Sequence, residues 1–297
     1  LKTNDKTAVA LGIFDGVHLG HREVLDTAVQ KAAEYGATPS VFTFDTGSVT
    51  SKGRLESLIT DEQKRRRLAE IGIENVCSEN FADLCDMSAE QFVERVLVKK
   101  MGAVCVVCGE DFRFGKGGGS DTEDLKRICG GYGITVCGVK QLKIGGETVS
   151  STRIRELIKH GKIADANALL GWHYGYCEEV VHGFQRGRTI NFPTINQLIP
   201  TGLVLPKFGV YCSKVLIDGG EYAAVTNIGV KPTVEKNSPP LAETYIIGYS
   251  GDLYGRVLDT LLYEFIRPER RFESFDELKS EITKNTEYAK KYFERNV

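Results

Sequence analysis

The chain changes rhythm near Gly171, and nothing else in it constrains the fold as much. Before that point strand-like and helix-like segments alternate. Ala8–Phe14 reads as a strand. Gly20–Tyr35 reads as a helix, with Val24, Leu25, Ala28, Val29 and Ala32 at helical spacing. "TPSVFTF" is a second strand, ending at Phe44. Thr60-Asp-Glu-Gln63 and Ser88-Ala-Glu-Gln91 are capping-box signatures that open helices reaching about Ile71 and Lys100. "AVCVVCG" and "GITVCGV" follow as further strands. Such alternation implies an α/β domain with a parallel sheet and helices on both faces. After a short helical piece, Ile163–Leu170, strands dominate from Tyr176 to about Phe265. Gly219-Gly220 and "SGDLYG" mark hairpin turns, which suggests an antiparallel β-barrel. Ser274-Phe-Asp-Glu277 then opens a C-terminal helix. Two domains are therefore expected, 1–170 and 171–297, and 297 residues suffice for two cores.

Several classes of function are disfavoured. A net charge of −2 does not suit a polycation that coats nucleic acid. "KRRR" at 64–67 is expected on a solvated helix face, so no nucleic-acid partner is expected. No apolar run is long enough for a membrane helix, and no basic segment followed by an apolar core suggests a signal peptide. The eight cysteines are scattered. Cys105 and Cys108 lie three apart on a strand, so they point to opposite faces and make a poor redox or metal pair. All eight are expected to be reduced thiols, mostly buried, in a cytoplasmic protein.

"LGIFDGVHLGH" (11–21) carries the first chemical signal. It sits where a strand runs into a helix N-terminus, a position that attracts anions. Gly16 and Gly20 admit a ligand close to the backbone, and His18 and His21 can donate hydrogen bonds to phosphate oxygens. The alternative is one capping histidine and one exposed one. "VSSTRIREL" (149–157) carries the second signal. Ser150, Ser151 and Thr152 can cap a helix, yet Arg153 and Arg155 follow in its first turn, which opposes the dipole unless an anion is bound. Hydroxyls, amides and guanidinium groups together suit a polyphosphate. An ordinary capped helix is the simpler alternative.

In the second half, "VVHGFQRGRTINFPTIN" (180–196) is densest. Gly183, Gly187 and two arginines, Arg188 among them, suit a phosphate-binding loop. Pro193 fixes an extended approach, and Thr194 and Asn196 then point to one side. Their neutral oxygen donors suit Mg²⁺ already held by ATP. A polar barrel loop is the alternative. Glu243 heads an apolar strand and could take a proton from a hydroxyl, or form a cross-strand salt bridge.

Taken in order, the His-x-Gly-His motif (18–21) and the Ser-Thr-x-x-Arg motif (151–155) resemble the signatures of the nucleotidyltransferase superfamily. With "GEDFRFGKGGGSD" (109–121) and "PTIN" (193–196), the chain resembles bacterial bifunctional riboflavin kinase/FAD synthetases along essentially its whole length. The resemblance implies a Rossmann-like nucleotidyltransferase domain followed by a β-barrel riboflavin kinase domain. Riboflavin would be phosphorylated with ATP to FMN, and FMN adenylylated with a second ATP to FAD and pyrophosphate. It implies that His18 and His21 face the phosphates, and that Ser151, Thr152 and Arg155 hold the leaving pyrophosphate. Gly12, Phe14, Asp15 and Gly16 would shape the adenine-nucleotide pocket, with Asp111 and Phe112 near bound FMN or nucleotide. Thr194 and Asn196 would bind Mg²⁺ and ATP, Gly183 and Arg188 would line the phosphate loop, and Glu243 would be the general base toward the riboflavin 5′-hydroxyl. The FMN phosphate is already an anion, so adenylyl transfer requires no protein base. Any self-association is expected to be weak.

The sequence departs from the family pattern at Ile13 (commonly Asn), at 43–50 (which lacks a Pro-His pair), at Asn191 (commonly Gly) and at Asn285 (commonly Asp). The same fold with only the kinase activity retained is therefore the second reading. A flavin-nucleotide regulator without turnover is a third, opposed by the presence of His18, His21, Thr194, Asn196 and Glu243.

Overall fold

The structure is a computed structural model, and it describes residues 6–45, 56–182, 192–230 and 240–295. The chain divides into two compact units, Leu1–Ser151 and Thr152–Val297.

The first unit is an α/β sandwich. Its elements are β1 (Thr7–Leu11), α1 (Leu19–Tyr35), β2 (Thr38–Phe44), α2 (Asp61–Ile71), β3 (Asn75–Glu79), α3 (Phe81–Leu84) and α4 (Ala89–Phe92). The helix of α4 continues in π form over Val93–Lys100. Then come β4 (Ala103–Gly109), α5 (Thr122–Gly130), β5 (Thr135–Val139) and the small ribbon β6 (Lys143–Ile144) and β7 (Glu147–Thr148). Strands β3-β2-β1-β4-β5 form a parallel sheet in that order. Every residue of β1 is buried, as a central parallel strand covered on both faces requires. Val9 and Leu11 join Phe42, Phe92, Leu97, Val106 and Leu125 in one core. Alternation turns Ala8 and Ala10 the other way, and α1 packs on β1, β2 and β4 with Val24, Leu25, Ala28 and Ala32 buried. Both expected capping boxes form, Thr60 with Gln63 and Ser88 with Gln91.

The sequence reading passed over β3. Its residues, Asn-Val-Cys-Ser-Glu, are all half-buried at a sheet edge, so they carry neither an apolar run nor clean alternation. The expectation for "KRRR" is corrected at its first residue, because Lys64 is only 2 % exposed. All eight cysteines are free thiols, but only Cys105, Cys108, Cys129 and Cys212 are buried. Burial pushes the Cys105, Cys129 and Cys212 thiols up to about 12 and that of Cys108 to about 11.

In the second unit, α6 (Ser151–Lys159, entering from the last residue of the first unit) and α7 (Ile163–Leu170) precede a closed barrel. Its strands are β8 (Gly175–Val181), β9 (Thr194–Leu198), β10 (Gly209–Ile217), β11 (Gly220–Gly229), β12 (Leu241–Ile246) and β13 (Val257–Pro268), in the order β10-β11-β12-β9-β8-β13. The β10–β11 turn is Asp218-Gly219, with φ of 51° and 81°, one residue earlier than the Gly219-Gly220 expected; Gly220 begins β11 and pairs with Ile217. Inside the barrel, buried hydroxyls form a chain from Ser213 to Thr226 (2.7 Å) to Thr244 (2.8 Å). Gln197 donates to the carbonyls of Glu178 and Leu258 and accepts from Thr260. Outside it, α8 (Phe275–Arg295) seats Ala289 over Val210, Cys212 and Val225.

Asn167 of α7 ties helix to barrel. Its Nδ2 donates to the Leu262 carbonyl at 2.9 Å and its Oδ1 accepts from Tyr174 N at 2.8 Å, both buried. Asn167→Ala strands both backbone groups, so stability should fall by about 2 kcal/mol. A lowered urea midpoint with unchanged slope would show it.

Candidate active sites

In the order β3-β2-β1-β4-β5 the chain reverses direction between β1 and β4, and the C-terminal edge at such a reversal is where open α/β sheets bind ligands. Two segments leave the sheet there, 12–18 after β1 and 110–112 after β4. The first is strained. Phe14 (φ 51°) and Val17 (φ 38°) lie in the left-handed region together with Gly16 (φ 86°). For a bulky and a β-branched residue this is unfavourable and persists only where neighbours enforce it. They do. Thr43 Oγ1 donates to the Ile13 carbonyl (2.8 Å), Leu58 N to Asp15 Oδ1 (2.8 Å), and Ser151 Oγ to the Asp15 carbonyl (2.9 Å). Phe14 is buried, and a Cβ at Gly12 would stand 2.9 Å from its ring, so glycine lets the ring fold back.

His18 is the N-cap of α1, and its Nδ1 accepts from His21 N at 3.2 Å. The capping bond uses the Nδ1 lone pair, so the neutral ring carries its proton on Nε2. The His18 and His21 rings are stacked, with centroids 3.5 Å apart and 16° between planes, and Phe14 meets His21 edge-on at 5.4 Å. His18 thus caps α1, as the simpler alternative had it for one of the pair, while His21 is half-buried rather than exposed. His21 Nδ1 is enclosed and has no hydrogen-bond partner among the described residues. Burial, then the charges of His18 and Lys64, hold the His21 imidazole well below its ordinary value.

The structure brings Gly12, Phe14, Asp15, Gly16, His18, His21 and Ser151 together. Ile13 is 51 % exposed at the same edge. Asp111 follows β4, its Oδ2 accepting from Gln141 Nε2 at 2.7 Å. Phe112 stacks on Phe114 at 5.9 Å against the core. Thr152, exposed, and Arg155, half-buried, follow Ser151 along α6 in the second unit.

In the barrel, Thr194 and Asn196 share one face of β9. Asn196 is the cross-strand partner of Glu243 on β12, and Glu243 is the partner of Asn227 on β11. These three polar residues form a row across the sheet. Asn196 is 5 % exposed, and its Oδ1 is buried with no hydrogen-bond partner among the described residues. Asn227 Nδ2 donates to Glu269 Oε1 at 3.2 Å. Neither Asn227 nor Glu269 stood out in the sequence; the lone amide in the strand "AAVTNIG" was the available sign. Thr194 also lines a cavity of about 90 Å³ with Pro193, Tyr249, Asp252 and Tyr254. Gly183, Arg188, Asn191 and the end of the 43–50 segment lie outside the described residues. Asn285 is buried on α8. Among the described residues no three His, Cys, Asp or Glu side chains cluster as metal ligands, and no helix is long and apolar enough to cross a membrane.

Because His21 resists protonation in the folded chain but not in the unfolded one, the unfolded state binds more protons as pH falls through the ordinary histidine range near 6.5. Stability should therefore decline from pH 7 toward pH 5, and His21→Gln should flatten that decline. Urea midpoints across this range measure it.

Comparison with known proteins meets this geometry from outside. The family model described as FAD synthetase matches residues 1–153, and the model described as riboflavin kinase matches residues 170–293. A bifunctional riboflavin kinase/FMN adenylyltransferase of Bacillus subtilis is 35 % identical over 97 % of this chain and 93 % of its own. That of Listeria monocytogenes is 32 % identical over 98 % and 94 %, and that of Escherichia coli K12 33 % over 96 % and 92 %. A crystal structure described as a macrolide-efflux protein from Streptococcus pneumoniae superposes with a TM-score of 0.87 at 28 % identity, covering 98 % of this chain and 95 % of that one.

Proposed function

This chain belongs to the bifunctional riboflavin kinase/FMN adenylyltransferase family, and from that premise we propose which of its residues run each reaction. The enzyme transfers the γ-phosphoryl group of ATP to riboflavin, giving FMN and ADP. It then joins FMN to the adenylyl group of a second ATP, giving FAD and pyrophosphate. Family and names support both activities, so the kinase-only reading is not favoured. We assign adenylyl transfer to residues 1–170 and phosphorylation to 171–297; the two family matches support that division.

For adenylyl transfer, an FMN phosphate oxygen attacks the α-phosphorus of ATP, and the bond to the bridging oxygen of pyrophosphate breaks. No proton must be removed from the nucleophile. The protein's task is to position two anions and to meet the charge that develops on phosphorus. His18 and His21 donate to α-phosphate oxygens, and the strained loop of Gly12, Phe14, Asp15 and Gly16 holds them in place. Ser151, Thr152 and Arg155 hold the leaving pyrophosphate, and Asp111 and Phe112 border the second substrate. The observation that carries this assignment is the stacked histidine pair on an over-determined loop at the sheet's reversal point.

For phosphorylation, Glu243 accepts the riboflavin 5′-hydroxyl proton as that oxygen attacks the γ-phosphorus, and ADP leaves. Thr194 and Asn196 fit a hard cation. The buried Asn196 Oδ1, with no partner among the described residues, and a hydroxyl on the same strand face are neutral oxygen donors of the kind Mg²⁺ takes alongside nucleotide phosphates. Bound there, Mg²⁺ would neutralise and orient the triphosphate. Gly183 and Arg188 complete the phosphate loop in this proposal. Eight free thiols support a reducing, cytoplasmic setting.

Two substitutions separate the sites. His21→Ala should reduce FAD formation from FMN by about 10²-fold or more and leave riboflavin phosphorylation intact. Glu243→Ala should do the reverse. Chromatography of flavins from incubations with riboflavin or FMN, ATP and Mg²⁺ reads both. Loss of both steps in either folded variant would overturn the assignment.

A further inference from the structure

The basic run at 64–67 splits in the fold. Arg65 and Arg66 are exposed, whereas the Lys64 side chain is 3 % exposed. Its Nζ donates to the carbonyl of Phe44, the last residue of β2, at 2.8 Å. The nearest carboxylate, Asp61 Oδ1 one turn back on α2, is 3.9 Å away and 38 % exposed. A lysine is rarely enclosed without a close counter-ion, because desolvating an ammonium is costly. Among the described residues that carbonyl and that carboxylate are its nearest polar contacts, which is weak local compensation.

What surrounds Lys64 explains its place. α2 is seated against the loop after β1, because Leu58 N, just ahead of the helix, bonds Asp15 Oδ1. Thr43, beside Phe44, bonds the Ile13 carbonyl. Lys64 therefore stands where the end of β2, the start of α2 and the histidine-bearing loop meet. The charged groups that face it are Asp15 and Asp45 from the loop ends and Asp61 and Arg65 from its own helix, while its own charge reaches His21. Burial pulls the ammonium below its ordinary value, and the three carboxylates oppose that.

The reaction brings a triphosphate and a phosphate monoester together, so the site must carry positive potential before the substrates arrive. Besides Arg155, assigned above to the leaving pyrophosphate, the two imidazoles are poor sources of it, since rings stacked at 3.5 Å do not both take a proton beside a lysine. We propose that Lys64 is a positioning residue of the adenylyl-transfer site, a fixed buried cation that supplies the potential behind Asp15 and His21. In consequence His21 stays a neutral N–H donor and a permanent charge sits behind it. This inference rests on the assignment of His18 and His21 to the phosphates.

The test uses the full chain with Lys64→Gln, which keeps a donor for the Phe44 carbonyl but removes the charge, and Lys64→Arg, which restores the charge. The His21 ring resonance is followed by NMR from pH 4 to 9, and FAD formation from FMN and Mg·ATP is measured at pH 8. In Lys64→Gln the His21 midpoint should rise and kcat/KM for ATP should fall about tenfold. Lys64→Arg should stay within about threefold of wild type on rate with the midpoint unmoved. Riboflavin phosphorylation should be unchanged in both. An unmoved midpoint or an unchanged rate in Lys64→Gln overturns the inference. So does a folded Lys64→Arg that loses FAD formation as Lys64→Gln does, since that would make the tie to Phe44, not the charge, what matters. The parent assignment fails separately, if His21→Ala still makes FAD at the normal rate.

Discussion

Two hydrogen bonds converge on Asp15 and tie together segments far apart in the chain. Its carboxylate accepts from Leu58 N, ahead of α2, and its carbonyl accepts from Ser151 Oγ, at the head of α6. Left-handed backbone at Phe14 and Val17 costs about 1–3 kcal/mol at each residue, and an isolated loop would relax out of it. With Asp15 pinned on both sides, and Ile13 held by Thr43, the loop has one conformation available. The stacking of His18 on His21 and the burial of Phe14 follow from it. The carboxylate also helps to hold Lys64 charged inside the protein. One acidic side chain thus sets backbone shape and local electrostatics together.

The barrel solves a different problem. Closure removes the sheet edges and fixes the register of every pair. The Ser213, Thr226 and Thr244 hydroxyls bond one another, and the Gln197 amide bonds Thr260 and the backbone, so this part of the polar content brings order without chemistry. The row Asn196–Glu243–Asn227 depends on register, because a one-residue slip of β12 would turn Glu243 to the other face. The buried Asn196 oxygen has no partner among the described residues, and it falls in the row assigned to substrate.

Much of this was legible in the sequence because it rests on local rules. The capping boxes at Thr60 and Ser88, the helix of Val24 to Ala32, and the strands of the sheet's centre show themselves through spacing alone. The motifs carrying His18, His21, Ser151, Thr194, Asn196 and Glu243 were legible through family likeness more than through physics. What escaped notice depends on partners distant in sequence. The edge strand β3 has no pattern until β2 lies beside it. Lys64 reads as one more charge in a basic run until burial separates it from Arg65 and Arg66. The positive φ of Phe14 contradicts residue preference, and such contradictions gather where function overrules propensity. At the β10–β11 turn the pattern was right and the position off by one, since Asp218 can adopt the left-handed turn as glycine does.

The N-cap of α1 is an imidazole rather than the serine or aspartate usual there, so a single nitrogen lone pair both caps a helix and selects the tautomer with its proton on Nε2, the atom the proposed assignment turns toward phosphate. In the assignment proposed above, one ring therefore serves folding through Nδ1 and phosphate through Nε2. Replacing His18 with alanine would blur the two effects. Asparagine, a good cap that lacks the imidazole, would keep the helix and remove only the ring proposed to meet phosphate, which makes it the cleaner probe of that proposal.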